Sequence, residues 1–189
     1  MALTADERQM LLRLARETIT RAALRQSQPP LDLQALPERL RGDGASFVTL
    51  TKRGDLRGCI GSLEAHRPLA LDVRENALAA AFHDPRFPPV SAGELNALHI
   101  EISVLTAPQP LAFNGPDDLI ARLRPGVDGV VIERGWQRAT FLPQVWEKLP
   151  DPQEFLEHLC LKAGLPPDAY RHAGLAVSVY QVEEFEEKR

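Results

Sequence analysis

Two stretches rich in strand formers, ASFVTLT at residues 45–51 and LRGCIGSL at residues 56–63, flank the tetrapeptide KRGD at residues 52–55. β-branched and aromatic side chains favour extended backbone, and Gly-Asp between two such stretches is typical of a tight turn. The pattern therefore predicts a β-hairpin over residues 45–63. Its strands are antiparallel, because parallel neighbours need a crossover of about a dozen residues or more.

Helical and extended patterns alternate on both sides of this hairpin. A capping box at residues 4–7, TADE, predicts the first helix. A second helix begins at Pro68 and ends near His83, because a residue that precedes proline, as Asp84 does, is pushed out of the helical region. Residues 98–104 alternate so that Leu98, Ile100, Ile102 and Val104 form one buried face of a strand.

The predicted order of elements is α, ββ, α, β, α, ββ, α, β, with residues 176–182 as the last strand and a charged tail after it. Short turns join neighbouring strands, which favours antiparallel or mixed sheets over a doubly wound fold. The predicted fold class is therefore α+β.

Composition is that of an ordinary globular protein. The chain has 189 residues, of which 44% are apolar and 25% charged, and its net charge of −4 argues against a general nucleic-acid-binding surface. No apolar run approaches the roughly 20 residues of a membrane helix, and the N-terminus lacks the pattern of a secretory signal. Cys59 and Cys160 form no CxxC motif. We therefore expect a cytoplasmic protein with free thiols and no membrane contact.

The most unusual stretch is LRGCIG at residues 56–61. Strand alternation predicts that Arg57, Cys59 and Gly61 share one face, where a guanidinium beside a thiol favours the reactive thiolate. Glycines in a strand indicate close approach of another group, so Gly58 and Gly61 are candidate ligand-binding positions. Cys59 is then a candidate nucleophile and Arg57 a stabiliser of a thiolate or another anion. A buried, inert cysteine in a tightly packed strand is the alternative.

A second candidate region is AFHDPRFPP at residues 81–89, where a helix ends in a loop stiffened by proline. Such loops present polar groups well, so Asp84 and Arg86 are candidate ligand-binding residues and His83 a weaker candidate base. The architectural alternative is that Asp84 caps the turn, Arg86 pairs with it and Phe87 fills the core.

His99 and Glu101 share a strand face, and with a distant His158 or His172 they would imitate the facial triad of an iron site. The alternation of a solvent-exposed strand face produces the same pattern by default. We therefore predict no metal site and no cofactor. Cys160, on the apolar stripe of a helix, is predicted to be a core residue.

Three of these motifs, LRGCIG, AFHDPRFPP and IEISVL at residues 100–105, resemble in this order the AMMECR domain family, called protein A of the AmmeMemoRadiSam system in prokaryotes. GVVI at 129–132, FLPQVW at 141–146 and CLKAGL at 160–165 also fit the family pattern. Because the match spans nearly the whole chain, we predict one domain of this type over residues 1–189.

The resemblance implies an α+β fold of two unequal lobes, the larger using both chain ends, with a cleft between them. It also implies association with a Memo-like protein and a radical S-adenosylmethionine protein. Enzymatic and RNA-related roles have been suggested for the family, but the resemblance supplies no reaction. Residues 134–136, RGW, are inserted relative to the family pattern, so the second lobe is expected to differ in shape there.

Two hypotheses remain open. In the first, the chain is an enzyme, or the substrate-holding subunit of one, that acts in a cleft beside Cys59. In the second, it is a non-catalytic module that docks a protein, a small ligand or RNA on the same surface. The enzyme loses its function on Cys59→Ser while it still binds, whereas the docking module tolerates that change and fails on Arg86→Ala or Arg57→Ala.

Overall fold

The hairpin predicted from residues 45–63 is confirmed in a computed structural model. Strand β1 (Ala45–Lys52) pairs antiparallel with β2 (Asp55–Gly61). The two residues between them have left-handed backbone, with φ of 57° at Arg53 and 93° at Gly54. Positive φ at both central positions is the geometry of a type I′ turn, whose twist matches that of the two strands.

The structure describes residues 2–188, which fall into two units. The first unit contains the chain up to Leu105 and again from Glu183 onward, and the second is Thr106–Val182. Each unit has its own four-stranded sheet over the described residues, and the strand pairings described in both sheets are antiparallel. The predicted α+β class is therefore confirmed.

Over residues 2–188 the first unit contains three α-helices and a sheet with the strand order β2-β1-β3-β8. The remaining strands are β3 (Leu98–Leu105) and β8 (Val182–Glu186), and the helices are α1 (Ala5–Ala23), α2 (Glu38–Arg41) and α3 (Leu69–Phe82). Short 3₁₀ turns lie at Leu33–Ala35 and Ala92–Ala97. The order makes β2 an edge strand, with β1 as its one partner in the sheet.

One face of this sheet is buried against α1 and α3. Val48 and Leu50 of β1 and Ile100 and Ile102 of β3 are fully buried in the core that these two helices complete. Val104 packs at the edge of the same core, so the predicted buried face of residues 98–104 is confirmed. The alternate residues of each strand lie on the opposite face of the sheet.

The second unit is built on a sheet with the order β4-β7-β5-β6. Its elements are β4 (Gln109–Pro110), α4 (Pro116–Arg122), β5 (Gly129–Arg134), β6 (Gln137–Phe141), α5 (Pro152–Lys162) and β7 (Ala176–Tyr180), with 3₁₀ turns at Pro143–Glu147 and Ala169–Arg171. Phe155 of α5 lies at the centre of its core, stacked on Trp146 with 3.7 Å between ring centroids. Among the described residues, none of the helices combines the length and apolarity needed to cross a bilayer.

The prediction of a charged tail after residue 182 is wrong, because that segment is strand β8 of the first sheet. Two acids of this segment are paired with the first helix: Glu183 accepts a hydrogen bond of 2.8 Å from Arg8, and Glu187, just after the strand, forms an ion pair with Arg16. Phe185, between the two acids, packs against the core. Charge pairing with arginines distant in sequence thus allows a highly charged segment to form a strand.

Candidate functional site

Cys59 lies on the edge strand β2, with its side chain on the face of the first sheet that α1 and α3 do not cover. We call this side the thiol face. Cys59 is directly opposite Thr49 of β1, whose hydroxyl donates a hydrogen bond of 3.3 Å to the cysteine Sγ. The cysteine is half-buried, in contrast to Cys160, which has no exposed surface.

Glu101 of β3 continues this row on the other side of Thr49. Directly paired residues of antiparallel strands project to the same face, so Cys59, Thr49 and Glu101 lie side by side on the thiol face. Burial raises the pKa of Glu101, and the nearby carboxylates of Glu184 and Glu186 raise it further. The thiol face therefore carries a thiol, a hydroxyl and a carboxyl group on three neighbouring strands.

The alternation that places Arg57 beside the thiol is interrupted in the structure. Leu50 of β1 pairs with Gly58, whereas the next residue, Thr51, pairs with Leu56. Arg57 is therefore the extra residue of a β-bulge, where strict alternation of side chains fails. The sequence gives no clear signal for this bulge, because a strand with one extra residue has the same composition as a regular one.

The Arg57 side chain is occupied by an acid of the 3₁₀ turn before β3. Its Nε and Nη2 donate to the two carboxylate oxygens of Glu94 at 3.1 and 3.2 Å, and Lys52 Nζ donates to the same carboxylate at 2.9 Å. These bonds, that of Arg57 first, hold the pKa of Glu94 well below its usual range. Arg57 thus fixes the start of β2 against the turn that precedes β3.

Asp84 and Arg86 cap the free edge of β2 at Cys59. The Asp84 carboxylate accepts the Cys59 N–H at 2.9 Å, and Arg86 Nη2 donates to the Cys59 carbonyl at 3.2 Å. The two side chains also bond each other, with Arg86 Nε and Nη2 at 2.9 and 2.7 Å from the carboxylate oxygens. The pair thus satisfies the groups that a neighbouring strand would otherwise bind.

In this pair the carboxylate is buried and the guanidinium side chain is half-exposed. The Asp84 side chain is 2% exposed and that of Arg86 is 53% exposed. The hydrogen bonds from Arg86 hold the pKa of Asp84 well below its usual range, with a further contribution from the Cys59 N–H. The bond to Asp84 likewise raises the pKa of Arg86. Both residues are therefore charged at neutral pH, and Arg86 exposes part of its guanidinium beside the cysteine.

The two glycines of LRGCIG serve packing. A Cβ atom at Gly58 would lie 2.1 Å from the carbonyl oxygen of Ala80, so this glycine allows α3 to approach β2 closely. A Cβ atom at Gly61 would lie 2.2 Å from the ring of Phe47. The space that we expected Gly61 to leave for a ligand is thus filled by an aromatic side chain from the neighbouring strand.

His83, the candidate base, is exposed at the end of α3, where its backbone N–H donates to the Ala79 carbonyl at 2.9 Å. Within residues 2–188 its ring forms no hydrogen bond with Cys59 or with another side chain of the loop. The helix end is where the sequence predicts it. The position of His83 gives its ring no fixed relation to the thiol.

A buried polar centre, which was not predicted from the sequence, joins α3 to the hairpin. Asp72 of α3 has no exposed surface and accepts hydrogen bonds from the backbone and hydroxyl of Ser46, from Ser62, from Arg67 and from Asn76. Asp72 and Asn76 are four residues apart and lie among the apolar residues of the helix. Two polar residues on the otherwise apolar face of α3 are the sequence signal that indicates this centre.

Two of the histidines considered for a metal site lie beside acidic side chains. His99 Nε2 lies 2.8 Å from Glu186, and His172 Nε2 lies 3.1 Å from Asp168. In the part of the chain that the structure describes, no three His, Cys, Asp or Glu side chains gather as a metal ion would require.

Cys160 is confirmed as a core residue of the second unit. It lies on α5 among Phe155, Leu156 and Leu159, with no exposed surface. Burial raises the pKa of the Cys160 thiol, and the Tyr170 backbone N–H only partly opposes this effect. The structure therefore separates the two thiols into a half-exposed and an enclosed one.

Comparison with known proteins gives consistent matches over the whole chain. The family model AMMECR1 matches residues 12–185. A protein of Methanothermobacter thermautotrophicus is 44% identical over 186 residues, which cover 98% of this chain and 96% of that protein. A protein of Methanocaldococcus jannaschii is 37% identical over 192 residues, covering 98% and 92% respectively.

The fold also matches a solved structure. The crystal structure of the uncharacterized protein PH0010 from Pyrococcus horikoshii superposes with a TM-score of 0.80 and is 34% identical. The match covers 98% of this chain and 94% of that one. The similarity thus includes both units, together with the hairpin and the loop that form the surroundings of Cys59.

Proposed function

The chain belongs to the AMMECR1 family, and from that premise we propose that it is an enzyme, or the substrate-holding subunit of one, that acts through the Cys59 thiol. The observation that carries the proposal is that Cys59 is accessible and yet held from both sides. Its side chain bonds Thr49 of β1, and its backbone bonds Asp84 and Arg86.

A reactive group must meet its substrate in a defined geometry, and supporting contacts provide that geometry. The Asp84–Arg86 pair does so at the one point where the edge of β2 carries the thiol. Because each of its two ions is hydrogen-bonded to the other and to Cys59, the pair limits the movement of the cysteine backbone.

Two partners complete the proposal: a Memo-like protein and a radical S-adenosylmethionine protein, both implied by the family resemblance. The expectation of an RNA ligand is less compatible with the thiol face. Glu101, Glu184 and Glu186 lie close together there, and carboxylates repel the phosphates that dominate nucleic-acid affinity. The charges favour a small ligand that is neutral or positively charged where it meets this face.

Capture from a cell lysate, with the native chain and its Cys59→Ser variant as paired baits, tests this proposal. Bound metabolites and proteins are identified by mass spectrometry, and the Cys59 peptide is searched for covalent adducts. We expect both baits to retain the same partner proteins, while only the native chain carries an adduct or converts a bound metabolite. Cys160→Ser is the matched control and should behave like the native chain.

The docking alternative predicts that Cys59→Ser changes nothing in this experiment. Arg86→Ala and Arg57→Ala do not test it cleanly, because both arginines hold β2 in place. Leu56→Arg is the sharper variant, since Leu56 is 46% exposed on the same strand. Loss of partner proteins in Leu56→Arg, together with unchanged behaviour of Cys59→Ser, would replace the enzyme proposal with the docking module.

A further inference from the structure

We propose that Glu101 is the acid–base partner of Cys59, and that the two side chains hold the carbonyl group of an acyl substrate between them, above Thr49. The inference rests on the proposed function, because it requires Cys59 to be the nucleophile. It adds a second reacting group and a substrate class. Its basis is the strand register, which places the thiol and the carboxyl group on either side of one threonine.

The spacing of the strands suits this arrangement. Neighbouring strands are about 4.8 Å apart, so the backbones of β2 and β3 at Cys59 and Glu101 are separated by roughly 10 Å. Because both side chains project from the same face, a small planar group bound above Thr49 would contact each of them. Thr49 forms the floor between them, and its hydroxyl already bonds the cysteine Sγ.

Glu101 differs from the other acids that surround the thiol. Asp84 is bonded to Arg86, Glu94 to Arg57, and Glu186 to His99. In the described chain the Glu101 carboxyl is half-buried and forms no hydrogen bond. Its carboxyl group is therefore available to a substrate.

The charged groups around Glu101 explain why it can supply a proton. From β8 it faces Glu184 and Glu186, and from its own strand His99, which acts in the opposite direction. Its partners in the row, Thr49 and the thiol, add no fixed charge. Burial and the two carboxylates raise the pKa of Glu101, so it keeps its proton to higher pH than an exposed glutamate does.

The two groups together can perform addition to a carbonyl. The Cys59 sulfur forms a bond to the carbonyl carbon, the π electron pair of the C=O bond moves to oxygen, and that oxygen takes the proton of Glu101. The thiol proton passes to water. When the tetrahedral adduct collapses, the C–O–H proton returns to Glu101, the bond to the leaving group breaks, and the leaving group takes a proton from water.

The product of this step is an S-acyl cysteine, so the substrate is an activated acyl compound such as a thioester. The acids near Glu101 restrict it further, because a carboxylate or phosphate on the Glu101 side of the carbonyl would be repelled. A thioester with an uncharged or positively charged acyl group fits the face.

Two probes that differ in their need for a proton separate this inference from the proposed function. Iodoacetamide alkylates a thiol by displacing iodide and needs no acid, whereas S-phenyl thioacetate acetylates it through a carbonyl addition. Both products at Cys59 are quantified by mass spectrometry. The ratio of the two rates cancels any change in the fraction of thiolate.

We expect Glu101→Gln to lower the ratio of acetylation to alkylation about tenfold or more, since general acid catalysis contributes at least that much. In the native chain the ratio should fall as the pH rises and Glu101 loses its proton. Glu184→Gln is the matched control: it keeps Glu101 but removes one of the charges that raise its pKa, so the fall should move to lower pH.

The outcomes are distinct. If Glu101→Gln leaves the ratio unchanged and the ratio is independent of pH in the native chain, the role of Glu101 is overturned while the proposed function stands. If iodoacetamide itself fails to label native Cys59, the proposed function fails and this inference with it. Should Glu101→Gln unfold, the pH dependence of the native chain and of Glu184→Gln still decides the question.

Discussion

The surroundings of Cys59 in the first unit and of Cys160 in the second differ in exposure and in polarity. Cys59 is half-buried on an edge strand, bonded by a hydroxyl and flanked by an exposed arginine. Cys160 lies on the apolar stripe of α5 with no exposed surface, and burial raises the pKa of its thiol. Residue type alone therefore says little about a cysteine; the polarity and accessibility of its surroundings decide its role.

The two regions also differ in how their backbone is held. Around Cys160, regular helical hydrogen bonds and a core of aromatic and aliphatic side chains are sufficient. Around Cys59, ion pairs hold the backbone in place: Asp84 caps the strand edge, and Glu94 binds the bulge residue Arg57. Charged supports of this kind keep an edge strand ordered while its side chain stays accessible.

The largest effect is expected in the labelling of the two thiols. With iodoacetamide at neutral pH, native Cys59 should react about a thousandfold faster than Cys160 or more, because Cys160 becomes accessible only when its core opens. Mass spectrometry of the two cysteine peptides measures both rates. In concentrated guanidinium chloride the rates should become similar. Equal rates in the native protein would break the contrast between the two regions.

Gly58→Ala should be the most damaging single substitution near Cys59. Its Cβ atom would lie 2.1 Å from the Ala80 carbonyl oxygen of α3. Because neither backbone can yield easily, we expect a loss of about 3 kcal/mol in the free energy of unfolding. Urea unfolding followed by circular dichroism measures it. Gly93→Ala, where no neighbour lies within 4 Å, is the control and should cost far less; equal costs would contradict the close contact.

Asp84→Asn should reduce stability by about 2 kcal/mol at pH 7, since it leaves Arg86 without its charged partner. It should also change the dependence on pH. The folded pKa of Asp84 lies below its ordinary value of 3.8, so the native chain has this contribution in full above about pH 5 and loses it as the pH falls below 4.

Unfolding curves at pH 7 and pH 3 measure this loss, which should be smaller in Asp84→Asn than in the native chain. Asp117→Asn, at an exposed position in the first turn of α4 in the second unit, is the control and should keep the native response to acid. An unchanged acid response in Asp84→Asn would show that the strand cap contributes nothing.

The smallest effect is expected for Arg57→Ala on the labelling of Cys59. Only a cation that faces the thiol promotes its reaction, and the Arg57 guanidinium binds Glu94, so the labelling rate should change by about threefold at most. Stability is expected to fall in the same variant, because Glu94 loses its principal partner. A much larger drop in labelling at unchanged fold would restore Arg57 as the stabiliser of the thiolate.

The hairpin, the helices and the buried face of β3 follow from local patterns, which is why the sequence predicts them well. Capping at Thr4 and Glu7 and the turn at Arg53 and Gly54 depend on residues within four positions of one another. The bulge at Arg57 and the strand β8 do not. Each depends on contacts with residues far along the chain. The alternation of polar and apolar side chains within one segment does not identify those residues.

The candidate site likewise combines features that the sequence predicts with contacts that it does not. Cys59, Asp84 and Arg86 stand out in the sequence as unusual residues, and the architectural alternative for the acid and the arginine agrees with the contacts observed. The sequence does not show that Asp84 and Arg86 both bond the backbone of β2. It also does not show the row from Cys59 through Thr49 to Glu101, because Cys59 and Glu101 are 42 positions apart.

Local spacing and motif order were sufficient to predict the elements, the fold class, the family and the difference between a strand cysteine and a core cysteine. The tertiary structure alone decided which groups meet: Glu94 with Arg57, Asp84 and Arg86 with Cys59, and Glu101 with the thiol face. The reason is physical. Strand register and the pairing of buried charges are settled by the free energy of the whole unit, to which distant segments contribute together.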